Sequence, residues 1–203
     1  MKLYKKIGII MLCAVLTFSL SACEVGQGIP FLSTKSKTTL PDNTVTVTFP
    51  EGYTIVQIAQ KLEQSKVCSA QAFLDACQKP AAGIELDNAD DRVFLLEGYI
   101  FPDTYEFYFD SDAQSVVDKF IENYNSKITD EMKQRAKALG YTMDQMMTLA
   151  SVIQKECDAD IDECANVSSV FHNRLKDPAS FPKLESDVTT FYISQNLKDV
   201  LGY

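Results

Sequence analysis

The residues best suited to acid–base chemistry fall between Thr142 and Leu175, in the run TMDQMMTLASVIQKECDADIDECANVSSVFHNRL. Met146, Leu149, Ile153 and Glu156 recur there at three- and four-residue steps, which places them on one stripe of a predicted helix. The stripe is apolar up to its last member, which is a carboxylate. A carboxyl group carried on a buried face loses solvation, and that loss raises its pKa toward the range useful to a general acid. The plainer reading is that Glu156, in a Gln-Lys-Glu run, is a solvated helix end. Cys157 and Cys164 follow near the two ends of a short acidic loop. Either they remain thiols, or a bridge between them clamps the loop beside Glu156. His172 stands beside Phe171 in a second helix and reads as a helix-face residue rather than a base. One His and no Cys-x-x-Cys spacing argue against a zinc site. The chain also lacks a Gly-x-Gly-x-x-Gly run, a P-loop and a Gly-x-Ser-x-Gly elbow, so no metal and no cofactor are expected.

Several elements must position these groups. Thr142 followed by Gln145 is a capping-box start for the helix that carries Glu156. Upstream, Thr44–Pro50 alternates with Val45, Val47 and Phe49 on one side, which predicts a half-buried strand. Thr54 with Gln57 opens a helix through Ile55, Ile58, Ala59 and Leu62, and Ala70–Cys77 is a second, with Phe73 and Leu74 inward. This strand–helix–helix unit is a plausible small binding module, although such apolar stripes are more often core. Cys68 and Cys77 bracket the second helix, too far apart for a disulfide unless the chain folds back. Lys79–Asp91 is a Pro/Gly/Asp-containing connection and a natural domain boundary. Arg92–Phe109 is dense in aromatics and predicts extended segments around a turn at 101–104; its aromatics either line a groove or form core strand. Ser111 with Gln114 starts a further helix, Thr129–Leu139 another stopped by Gly140, and the C-terminal Thr-Thr-Phe-Tyr-Ile run is β-prone.

A chain of 203 residues with 46% hydrophobic content can bury a sizeable core in one domain or two small ones. Its net charge of −9 supplies no basic stripe for phosphates, which argues against nucleic acid. Lys2, Lys5 and Lys6 precede a mostly apolar run, Ile7–Leu20, that suits a signal-peptide core better than a full membrane span. That run ends in Leu20-Ser21-Ala22-Cys23, similar to the lipobox of bacterial lipoproteins, whose Cys is lipidated. Residues 1–22 are therefore expected to be a signal peptide, Cys23 a lipidation site, and 23–43 a flexible tether. This puts the body of the protein at the outer face of the cell membrane.

Taken together, four stretches resemble the endolytic murein transglycosylase (MltG/YceG-like) family. They are Phe49-Pro-Glu-Gly-Tyr-Thr, Leu96-Glu-Gly-Tyr-Ile-Phe-Pro-Asp-Thr-Tyr, Leu149-Ala-Ser-Val-Ile-Gln-Lys-Glu, and Val170-Phe-His-Asn-Arg-Leu leading into Leu184-Glu-Ser-Asp. The resemblance implies an α+β fold, with a small LysM-like subdomain at 44–79 followed by a mixed helix/strand catalytic domain at 80–203. It implies cleavage of MurNAc–GlcNAc bonds in nascent glycan strands without water: one Glu protonates the glycosidic oxygen and the MurNAc 6-hydroxyl closes on C1. By motif position that Glu is Glu156, acid first and base afterwards. Such a mechanism needs one protonated carboxyl, not the spaced pair of a hydrolase. Asp103, Asn173, Arg174, Ser186 and Asp187 are the expected substrate-binding groups by position, and Asn173 and Arg174 serve equally well as helix-capping and solvating residues. Peptidoglycan strands and, through the lipid anchor, the membrane are the implied partners, with peptidoglycan synthases a further one.

The chain departs from the family pattern in several places. Gln154 stands where an acidic residue is frequent, and Val188 where Pro is usual. Family members continue beyond this point through Asn-Thr-Tyr and Gly-Leu-Pro-Pro-Gly segments, so the catalytic domain is expected to be partial. Two other readings follow from the same residues. One is a non-catalytic peptidoglycan-binding lipoprotein. The other is a solute-binding lipoprotein, for which the chain is short.

Overall fold

A computed structural model describes residues 43–157 and 161–198. The expected signal peptide, Cys23 and nearly all of the tether lie outside the described residues.

Strand β1 (Thr44–Phe49) pairs antiparallel with β2 (Asp103–Tyr108), in a register that sets Thr44 opposite Tyr108 and Phe49 opposite Asp103. Between them in sequence lie α1 (Ile55–Gln64) and α2 (Ala70–Ala76), and after them α3 (Ala113–Lys127), α4 (Asp130–Ala138), α5 (Met143–Glu156), α6 (Ile161–Lys176) and α7 (Val188–Tyr192). Among the described residues the architecture is thus α+β, with seven α-helices and a two-stranded sheet. None of these helices is long and apolar enough to cross a membrane.

Local sequence accounts for most helix starts. The Thr54 and Thr142 hydroxyls each accept from the backbone N–H three residues on, while Gln57 and Gln145 return the bond, so both capping boxes form. Thr129 caps α4 and Gly140, at φ +83, follows its end. The start of α3 is shifted by one residue from expectation: Asp112, not Ser111, is the cap, because its carboxylate accepts from Ser115 N–H.

The main core gathers one face from each of these elements. Phe120 of α3 is fully buried, with its ring centroid 4.5 Å from Tyr105, 5.2 Å from Phe49 and 6.0 Å from Phe73. Tyr105 and Phe107 therefore belong to core strand, while Tyr108 and Phe109 are exposed. A smaller core joins α5 to α6 through Leu149, Val152 and Phe171, with Leu184 and Val188 packed against it. Cys68 and Cys77 are both free, and burial pushes the Cys68 thiol up to about 11 and Cys77 further, which leaves both protonated and unreactive at neutral pH.

Two sequence expectations are corrected. Arg92–Pro102 is not extended; it is a succession of turns whose Phe94, Leu96, Tyr99 and Ile100 are buried, and only residues from Asp103 onward form strand. Gly98, at φ +87, supplies a left-handed step there that a strand cannot hold. The β-prone Thr189–Ile193 run is helical, extended by a π-helical turn at Ile193–Leu197. As a helix it carries Leu197 into the main core. Phe120→Ala is expected to cost about 3–5 kcal/mol of stability, read from the midpoint shift in urea unfolding.

Candidate active site

Helix α5 is held at both ends. In its first turn Asp144 is buried, and its carboxylate accepts from Arg92 Nη2 at 2.6 and 2.7 Å, from the Tyr99 hydroxyl at 2.5 Å and from Asp87 N–H at 3.1 Å. At the other end Lys155 Nζ donates to the Gly52 carbonyl at 2.6 Å, tying the last turn of α5 to the turn between β1 and α1. Gly52 adopts φ +75 in that turn.

Glu156 is the final residue of α5. The expectation of a buried carboxylate is corrected: Glu156 is exposed. The helix outruns its apolar support, because the smaller core ends with Val152 and a half-buried Ile153. The stripe keeps its helical spacing but leaves the packed region one turn too early to desolvate Glu156. Ser186 Oγ lies 2.7 Å from Glu156 Oε1, across 30 residues of sequence, and donates to it. Immediately after Glu156, Cys157 is the buried C-cap and is disulfide-bonded to Cys164 of α6. The bridge therefore ties the end of α5 to the first turns of α6.

The other expected site residues divide. Arg174 Nη1 donates to the Leu184 carbonyl, its Nη2 lies 3.8 Å from Glu185, and its guanidinium covers the Phe181 ring. It organises the loop that delivers Ser186, and Glu185 turns that loop at φ +53. Asp187 sits exposed at the N-cap of α7 without a side-chain capping bond, and Asn173 is exposed on α6. Asp103 belongs to a different constellation. Its carboxylate accepts from Thr104 N–H and Asn123 Nδ2 and lies 3.6 Å from Lys127, and these partners, the Thr104 N–H foremost, hold it below the usual carboxylate range. His172 meets the Tyr141 hydroxyl at 3.4 Å through Nδ1.

A cleft of about 640 Å³ is walled by the β1–α1 turn, the 92–102 segment, α5 and α7. Lys155, the residue before Glu156, and Val188, two residues after Ser186, line it, while Glu156 and Ser186 themselves are not among the lining residues. Its mostly apolar wall includes Glu97, a carboxylate that was not singled out from the sequence. Glu97 accepts from the N–H of Ile55 at 3.1 and 3.2 Å and from the Tyr192 hydroxyl at 2.6 Å. Burial raises its pKa above the ordinary 4.5, against the lowering effects of these bonds and of Lys155. The signal was legible: an acid inside the apolar run Val93–Ile100 has to be partnered.

The profile of the YceG-like family matches residues 29–203. The chain belongs to that family. Within it, this YceG-like chain is 29% identical over 169 residues to the endolytic murein transglycosylase of Streptococcus pneumoniae serotype 2 (strain D39), covering 75% of this chain and 30% of the relative. It is 33% identical over 109 residues to the Bacillus subtilis (strain 168) protein of the same name, covering 53% and 29% respectively. The chain thus spans less than a third of the length of these relatives. A crystal structure of a putative yceG-like protein from Listeria monocytogenes has the same fold, with a TM-score of 0.58 at 22% identity over 75% of this chain and 53% of that one.

The raised pKa of Glu97 fixes the sign of a pH effect. A carboxyl whose folded-state pKa is raised contributes stability fully below its ordinary value, and that contribution is lost as pH rises through the folded value. The stability of Glu97→Gln relative to wild type is therefore expected to increase as pH rises from about 4 to about 8, in thermal unfolding. The opposite shift of Asp103 is common to both proteins and cancels in the difference. A difference that stays flat with pH contradicts the assignment.

Proposed function

We propose that the protein is a membrane-tethered endolytic lytic transglycosylase that cuts MurNAc–GlcNAc bonds of peptidoglycan strands, with Glu156 as the proton donor and later acceptor. One observation carries this reading: the Ser186 hydroxyl reaches Glu156 across two separated motifs, whose neighbours Lys155 and Val188 line a cleft large enough for sugar rings. Membership of the YceG-like family, and relatives named endolytic murein transglycosylases, support it.

In the proposed reaction Ser186 holds one oxygen of Glu156 while the other carries the proton. Glu156 gives that proton to the glycosidic oxygen as the bond to C1 breaks, and the GlcNAc hydroxyl leaves. The MurNAc 6-hydroxyl then closes on C1 and returns its proton to Glu156, leaving a 1,6-anhydro end. The ring closes intramolecularly, so no water is consumed and no second carboxylate is required. Arg174 serves here by shaping the 181–187 loop. Strand β1 with α1 and α2, within residues 44–79, is the proposed LysM-like unit, and β1 pairs with β2 of the following part. We place the protein at the outer face of the membrane, anchored through lipid on Cys23, where nascent strands and peptidoglycan synthases are within reach.

The exposure of Glu156 favours a second reading, a lipoprotein that binds peptidoglycan without cutting it. The two separate in one assay. Purified protein incubated with uncrosslinked glycan strands is expected to release 1,6-anhydroMurNAc ends, and Glu156→Gln to lower the rate at least about 100-fold. Binding to sacculi with no anhydro product selects the second reading, and full activity in Glu156→Gln rules out the acid assignment.

A further inference from the structure

We infer that Glu97 is a positioning residue for the glycan-cleaving site, acting through Tyr192 to set where Ser186 meets Glu156. The inference rests on the reading of Glu156 as the reacting acid.

The geometry is a joint between three elements. Glu97 projects from the turns of 92–102, between the buried Leu96 and Tyr99. Its two oxygens face Ile55 N–H, the first residue of α1, where the unpaired amides of a helix N-terminus favour a negative charge. One of the same oxygens receives the Tyr192 hydroxyl from the last residue of α7. A second strand of contacts reinforces the joint: the Thr54 hydroxyl, from a buried residue, donates to Asn196 Oδ1 at 2.8 Å, and Asn196 Nδ2 donates to the Tyr192 carbonyl at 3.1 Å. The α7 segment is thereby pinned to the N-terminus of α1 rather than left to its own packing. As a helix of five residues with no side-chain cap, it has little independent stability.

The consequence runs back along the chain. Ser186 precedes the first residue of α7 by two positions, so the placement of α7 decides where its hydroxyl lies. Arg174 holds the other side of that loop at Leu184. On the acid's own side, Lys155 precedes Glu156, anchors on Gly52, and its ammonium favours the charge on Glu97. Both approaches to Glu156, through Ser186 and through Lys155, thus lead to one carboxylate in the cleft wall. A displacement of about 1 Å in such an arrangement costs a rate factor of order 100 without any loss of substrate contact.

Tyr192→Phe deletes only the hydroxyl and is the primary test on the purified full chain; Glu97→Gln is the second. Two readouts are combined: kcat and KM for release of anhydro ends, and the titration of the Glu156 side-chain carboxyl carbon by NMR in wild type, Ser186→Ala, Tyr192→Phe and the double variant. The expected result is a kcat about 10- to 100-fold lower with KM unchanged. The Glu156 titration is expected to move in the direction set by Ser186→Ala, with no further movement in the double variant. An unchanged Glu156 titration in Tyr192→Phe, or additive shifts in the double, overturns the inference and leaves Glu97 a purely structural carboxylate. Wild-type protein that cuts no glycan refutes the enzymatic reading, while the titration still decides the positioning role.

Discussion

A single buried carboxylate, Asp144, decides where helix α5 lies. Its charge is satisfied by a guanidinium, a phenol and a backbone amide, all from residues 87–99. Removing one partner of such a group strands a charge in a poorly solvated place, at a cost of about 3–5 kcal/mol. Sliding or rotating α5 would do the same, so this interaction selects one placement of the helix over others with similar apolar contact. The phenol of Tyr99 is held protonated by burial and by the adjacent carboxylate, which suits it to donate. The turns of 92–102 are thus the anchor for the helix that carries Glu156.

From that anchor the site follows by extension. Thirteen residues run from Met143 to Lys155 before the chain reaches Glu156, and the helix is unbroken over that distance. Its far end is fixed again by Lys155 on Gly52 and by the disulfide to α6. The acid therefore stands on a braced post at the edge of the packed region, neither inside it nor on a mobile loop. Ser186 is supplied by a loop that Arg174 grips on one side and α7 continues on the other. The cleft lined by Lys155 and Val188 takes its shape largely from elements that belong to the main core, so its walls share the stability of the whole fold.

Much of this was legible beforehand. The helices with strong caps, Thr54 with Gln57 and Thr142 with Gln145, were correctly placed because capping is a local exchange of hydrogen bonds. Strand β1 was legible from its alternation, which has the period of a half-buried strand. The segment 92–102 and the run 189–193 were misread for a shared reason: aromatic and β-branched content reports fitness for a packed surface, not a particular backbone. In the first, turns with a left-handed Gly98 fill the core; in the second, a helix does.

The sequence by itself determined the family, the first strand and the capped helices, and the carboxylate carried at the end of α5, since these are written in local patterns and motif spacing. Only the tertiary structure decided that Glu156 is exposed, that Ser186 is its partner, and that Glu97 joins α1 to α7. Solvation and long-range hydrogen bonding depend on which surfaces meet, and helical periodicity says which side of a helix is apolar without saying how far along it the neighbouring core extends.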